Sequence, residues 1–162
     1  MLISGLLFVT LGPAAQADVS QLQRSEVSLC THAEVTLEVQ ARQGELEQGI
    51  AQCLEQTILT APPEEARRAS YLLIADAYAR GDRVRWGALT QRHLVGIDEA
   101  DPDLAYRYAL FLARGGPAAE PEVRRWIDVA VQHTDEWQEA PQGRRQETVD
   151  RLVDWVMRDS EA

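Results

Sequence analysis

At 162 residues with a net charge of −10, the chain is long enough for one domain with a modest core. It is too acidic to favour nucleic-acid phosphates or an anionic lipid surface. All sixteen basic residues are arginine, and lysine and asparagine are absent, which excludes a phosphate-loop lysine, a lysine Schiff base and an N-glycosylation sequon.

The first segment, MLISGLLFVTLGPAAQA, is uncharged, apolar as far as Leu11, and closes on Ala15-Gln16-Ala17. That ending is what a signal peptidase accepts, so residues 1–17 read as a signal peptide cleaved before Asp18. No basic residue precedes the apolar run, which departs from the usual pattern. Gly12-Pro13 stops the run well short of the roughly 20 apolar residues that a membrane span needs. A single domain over 18–162 is expected, periplasmic or secreted, in a bacterium whose genome disfavours the AT-rich codons of lysine and asparagine.

From Glu26 to Leu59 the pattern predicts two helices meeting at Gln43-Gly44. Leu29, Ala33, Leu37 and Ala41 form one apolar stripe; Leu46, Ile50, Cys53 or Leu54, and Ile58 form the next. Pro62-Pro63 ends this pair and opens a helix from about Glu64 to Arg80, with Glu64 and Glu65 complementing the dipole of its first turn. After Gly81-Asp82 a helix over Arg83–Gly96 sets Trp86, Leu89 or Thr90, His93 and Ile97 on one side. Gly87 and Gly96 invite a neighbouring backbone to approach it. Asp101-Pro102 reads as an N-cap with proline at the first helical position, for a helix ending at Arg114. Pro121 starts a helix to about His133 with Val123, Trp126, Ile127 and Ala130 inward. A last helix, Gln142 to Arg158, places Val149, Leu152, Val153 and Val156 on one face and charges on the other, as a terminal cap requires. The expected fold is all-α, with about seven helices arranged as antiparallel hairpins.

Two of these segments repeat. YLLIADAYARGD, from Tyr71, and AYRYALFLARGG, from Ala105, align without gaps at a separation of 34, matching Ala75 to Ala109 and Ala79-Arg80-Gly81 to Ala113-Arg114-Gly115. Expected turn glycines at Gly44, Gly81 and Gly115 keep nearly the same period. This resembles the tetratricopeptide repeat family, over about residues 26–133. The pair Ala75 and Tyr78 matches that family's small and aromatic packing positions, Ala109 and Leu112 match them less well, and Pro62 and Pro102 approximate its unit-ending proline. Gly81 and Gly115 fall one residue earlier than the family's turn, and the small residue of the second helix is Gly87 or Ala88. The resemblance implies a short α-solenoid that binds a peptide or protein in a groove and carries out no catalysis.

Chemistry-bearing residues are few. Cys30 and Cys53 lie at similar distances either side of the first turn, so in an exported protein they are expected to form a disulfide. The alternative is a metal- or thiol-dependent site using Cys30, His32 and Cys53, with His93 or His133 as a further ligand. A Cys and a His two apart on a helix point about 200° apart, which works against that set. His32 is expected on a solvent-facing flank, His93 at a packing edge and His133 at a helix C-terminus. Glu64-Glu65 and Asp98-Glu99 read as helix-end caps, and Arg67-Arg68, Arg124-Arg125 and Arg144-Arg145 as solvated faces. Of Trp86, Trp126, Trp137 and Trp155, only Trp137, in the polar stretch HTDEWQEAPQG, stands out as an exposed anchor. Neither a cofactor nor a metal is expected, and the partner's identity is unspecified.

Overall fold

A computed structural model describes residues 34–135 and 139–160. The expected signal peptide over 1–17 lies outside these residues, as do Cys30, His32 and Trp137. Among the described residues the fold is all-α: α1 (Glu34–Gln43), α2 (Gln48–Thr60), α3 (Pro63–Ala79), α4 (Arg83–Gly96), α5 (Pro102–Ala113), a 3-10 turn (Pro117–Ala119), α6 (Glu120–His133) and α7 (Gln142–Ser160). None of these helices is long and apolar enough to cross a membrane. The chain from Leu37 onward forms one unit; of the unit before it, only residues 34–36 are described.

Each helix from α2 to α7 packs on the next one in sequence, and α5 also touches α7. The core follows the predicted stripes. Leu37, Ala41, Leu46 and Leu54 are buried, and so are Trp86, Leu89, Thr90 and His93 on α4. Val123, Trp126, Ile127 and Ala130 are buried on α6, as are Val149, Val153 and Val156 on α7. Each leucine, isoleucine or valine among them, taken fully out of water, contributes about 1.5–3 kcal/mol of hydrophobic stabilisation. The opposite face of α7 is charged and exposed, and Asp150 on it accepts from Arg124 of α6.

Helix boundaries follow the local chemistry. Pro63 and Pro102 occupy the first helical turn, where their missing N–H costs nothing. The Asp101 carboxylate accepts from Leu104 N–H at 2.9 Å, and Asp82 caps α4 in the same way through Arg85 N–H. At the end of α3 the Gly81 N–H donates to Tyr78 C=O and the Asp82 N–H to Ala77 C=O, the paired bonds of a Schellman ending around a glycine at φ 71°.

The second repeat does not end the same way. The glycine with positive φ is Gly116, at φ 78° and ψ −166°, not Gly115. The turn glycines Gly44, Gly81 and Gly116 are therefore 37 and 35 residues apart. The residue after Gly116 is Pro117, which has no N–H to donate back into α5, so no long Schellman bond can form around Gly116. Gly115 N–H donates to Leu112 C=O as Gly81 N–H does to Tyr78 C=O, but Gly116 N–H donates to Ala113 C=O, whereas its counterpart Asp82 reaches back to Ala77. Gly116 takes a conformation essentially restricted to glycine.

A second expectation fails at Tyr78. The residue is 67% exposed and its ring meets that of Trp86 edge-on at 6.4 Å between centroids, so it does not fill a buried helix-packing position. Its neighbours Ala77 and Asp76, buried at 0% and 1%, face inward in its place. Ala75 and Leu112 are half-buried, and Ala109 is fully buried.

Candidate functional site

The polar residues that α3 buries are Ser70 and Asp76, and each organises a different junction. Asp76 acts at the α1–α2 turn. Its Oδ1 accepts from Leu46 N–H at 3.1 Å and its Oδ2 from Arg80 Nε at 2.8 Å. Arg80 Nη2 then donates to Leu46 C=O at 2.7 Å. Both backbone groups of Leu46 are thus held by an Asp and an Arg one helical turn apart, and that carboxylate raises the Arg80 pKa above its ordinary value. This clip joins the first turn to the next helix and leaves no group free for chemistry.

Ser70 organises the second junction, where α3, α4 and the α4–α5 connection meet. His93, expected at a packing edge, is fully buried there. It lies on the stripe of α4 that carries Trp86, Leu89 and Thr90, which drives it into the core. Its Nδ1 is 3.0 Å from Ser70 Oγ, and the Tyr71 ring lies against it at 4.7 Å between centroids. Its Nε2 has no partner and faces Asp101 Oδ2 across 4.0 Å, too far for a hydrogen bond. Asp98 completes the cluster. Arg67 Nη1 donates to its Oδ2 at 3.0 Å and Ala100 N–H to its Oδ1 at 3.2 Å. One ligand atom each from His93, Asp98 and Asp101 lies within 4.8 Å of the others. Burial lowers the His93 pKa below its ordinary value; the Asp98 carboxylate works against this and the Arg67 guanidinium adds to it.

Serine, histidine and aspartate in line invite comparison with a hydrolytic triad, but the arrangement does not suit one. A nucleophilic hydroxyl must meet a substrate carbonyl, and Ser70 and His93 are both completely buried. What the arrangement offers is an imidazole nitrogen and a carboxylate oxygen facing each other across 4.0 Å.

Sequence reasoning placed Asp101 correctly as the cap of α5 but read Asp98 as a cap, whereas it pairs with Arg67 across to α3. The signal for this junction was available. A histidine on an otherwise apolar stripe must find a polar neighbour, and Ser70 is one of two buried polar residues on the adjacent helix. Of the Cys30, His32 and Cys53 set only Cys53 is among the described residues, half-buried on α2; Cys30 and His32 lie outside them. His133 is exposed at the C-terminus of α6, as expected.

The other notable surface lies at the tip of the α3–α4 hairpin. Tyr78 and Val84, 67% and 82% exposed, flank the Gly81 turn. Beneath Tyr78 an aromatic chain runs through the fold: Trp86 meets Phe111 at 5.5 Å, Phe111 stacks on Tyr108 at 6.0 Å, and Tyr108 meets Trp126 at 5.7 Å. Arg125 covers the Trp126 ring at 4.8 Å. Of the remaining tryptophans, Trp126 and Trp86 are buried as expected and Trp155 is about half exposed.

No family model, no curated protein and no solved structure matches this chain.

Proposed function

We propose that the chain is an exported, non-catalytic helical-repeat module of the bacterial cell envelope, tetratricopeptide-like in its hairpins, that binds another protein. The observation carrying this reading is the hairpin tip, where Tyr78 and Val84 stand exposed beside the Gly81 turn with the Trp86 indole behind them. An exposed tyrosine and valine backed by a largely buried aromatic chain are the kind of anchor that can dominate binding energy at a protein interface. Sequential packing of α2 to α7 supports the repeat reading, because each hairpin then covers the apolar face of its neighbour. The apolar leader supports export, and a Cys30–Cys53 disulfide would brace the start of the array.

The test places a photo-crosslinking amino acid at Tyr78 in cells, with a second at exposed Gln132 as control. A discrete adduct with one envelope protein from position 78 and none from 132, lost when Val84→Asp is added, is the expected result. Absence of any adduct at 78, or the same adducts from both positions, overturns the reading.

A further inference from the structure

We infer that His93, Asp98 and Asp101 form a binding site for a divalent transition-metal ion, with Zn2+ the natural occupant, which ties the end of α4 to the start of α5. The observation behind it is the unpartnered Nε2 of a wholly buried histidine, aimed at a carboxylate oxygen 4.0 Å away. Neither tautomer satisfies that gap. If Nε2 carries the proton, the N–H points at Asp101 Oδ2 from beyond hydrogen-bond range. If Nδ1 carries it and donates to Ser70 Oγ, a lone pair on Nε2 faces an anionic oxygen. A cation between them removes both problems, since a Zn–N bond of about 2.0–2.1 Å and a Zn–O bond of about 2.0–2.2 Å together span the observed separation. Drawing Nε2 and Oδ2 together by roughly half an ångström brings the angle at the ion from near linear towards tetrahedral.

The surroundings match what such a ligand set requires. With the ion bound, Ser70 Oγ, 3.0 Å from Nδ1, accepts from Nδ1–H and holds the tautomer in which Nε2 is the donor to metal, the role an outer partner plays for a ligating histidine. Asp101 spends Oδ1 on the α5 cap and keeps Oδ2 for the ion. Asp98 accepts one bond on each oxygen, from Ala100 N–H and from Arg67, which leaves further lone pairs on both. Its side chain is 21% exposed, so it gives the ion a route from solvent to two buried ligands. One imidazole and two carboxylates bind first-row divalent ions better than Ca2+, which takes six to eight oxygens. All three ligands lie within nine residues, His93 at the end of α4 and Asp101 at the cap of α5, so the bound ion fixes the angle at which the next hairpin leaves. The site is independent of the hairpin tip and of any partner there.

The experiment uses the full chain, treated with chelator and then dialysed against Zn2+. Wild type is expected to retain one ion per chain, to gain thermal stability with rising Zn2+, and to show a shifted His93 Nε2 resonance in a long-range 15N–1H spectrum. Asp101→Asn keeps a capping oxygen for Leu104 but removes the anionic ligand, and Asp98→Asn changes a partly exposed side chain, so both should fold. Either is expected to weaken Zn2+ binding at least about tenfold and to abolish the thermal gain. Failure of wild type to retain zinc overturns the inference. So does unweakened binding in both variants, an unmoved Nε2 resonance, or loss of zinc in Cys53→Ser, since each places the ion elsewhere.

Discussion

Gly87 lies directly under the ring of Phe111: a Cβ at this glycine would stand 2.6 Å from Phe111 Cε1 and 2.7 Å from Cζ. The sequence predicted that Gly87 admits a neighbouring backbone; what it admits is an aromatic side chain. Phe111 cannot swing away freely, because Trp86 and Tyr108 hold its ring from two sides. Gly87→Ala therefore sets a gain in helix propensity of about 1 kcal/mol against an overpacking cost of about 1–3 kcal/mol. The clash is well inside contact distance, so overpacking wins. The variant is expected to melt several degrees below wild type by circular dichroism, and adding Phe111→Leu should recover most of the loss. A melting temperature equal to or above wild type would show that the ring moves aside at no cost.

Asp76 gives a local prediction with a residue-specific readout. Asp76→Ala leaves Leu46 N–H and the Arg80 Nε without their acceptor. Stranding a buried donor costs about 1–3 kcal/mol. The loss should be concentrated at the α1–α2 turn, so Leu46 amide exchange is expected to accelerate far more than exchange in α6. Uniform acceleration across both helices would mean that Asp76 stabilises the fold as a whole and not this turn.

The helices were legible because their ends are written in short-range chemistry. Pro63, Asp101-Pro102 and Gly81 act within one turn of themselves, and the α3 to α7 boundaries fall within two residues of the reading from sequence. Gly115 was placed by matching one repeat to the other and Tyr78 by matching the family's packing pattern, and neither match takes account of the contacts particular to each copy. Gly116 N–H donates to Ala113 C=O, whereas its counterpart Asp82 in the first copy reaches back to Ala77 C=O. Tyr78 gives way to Ala77 and Asp76 because Asp76 must turn inward to reach Leu46. The His93 junction was the least legible, since Ser70, His93 and Asp101 are brought together by the crossing of three elements and by no local pattern.

Gly44 and Gly81 separate two costs that usually come together. Their φ values are nearly equal, 72° and 71°, so replacing either by alanine incurs a similar left-handed backbone penalty of about 1 kcal/mol. Their surroundings differ. A Cβ at Gly81 meets open space, whereas one at Gly44 comes within 3.0 Å of both Arg80 N and Arg80 Cγ. Backbone cannot yield as a flexible side chain can, and the same movement would disturb the Arg80 bonds to Asp76 and Leu46. Gly44→Ala is therefore expected to unfold at a lower urea concentration than Gly81→Ala, with unchanged slope. Equal midpoints would assign the whole cost to φ.

Cys53 sits half-buried on α2, and the proposal that it pairs with Cys30 can be tested by thiol chemistry. Protein directed to an oxidising compartment and recovered without reductant should yield no reactive thiol after denaturation, and two after reduction. Closing a loop of this size restricts the unfolded chain and stabilises the fold by roughly 3 kcal/mol in the chain-entropy model. Reduction should thus lower the melting temperature, and the double variant Cys30→Ser with Cys53→Ser should melt where the reduced protein does. That agreement does not by itself single out a disulfide, because a metal held by the two thiolates would be lost both to a reductant that strips it and in the double variant. The two cases part under chelator in the absence of reductant: a disulfide leaves the thiols silent, whereas a thiolate site releases its ion and exposes both. Two reactive thiols in the unreduced, chelated protein would sink the disulfide.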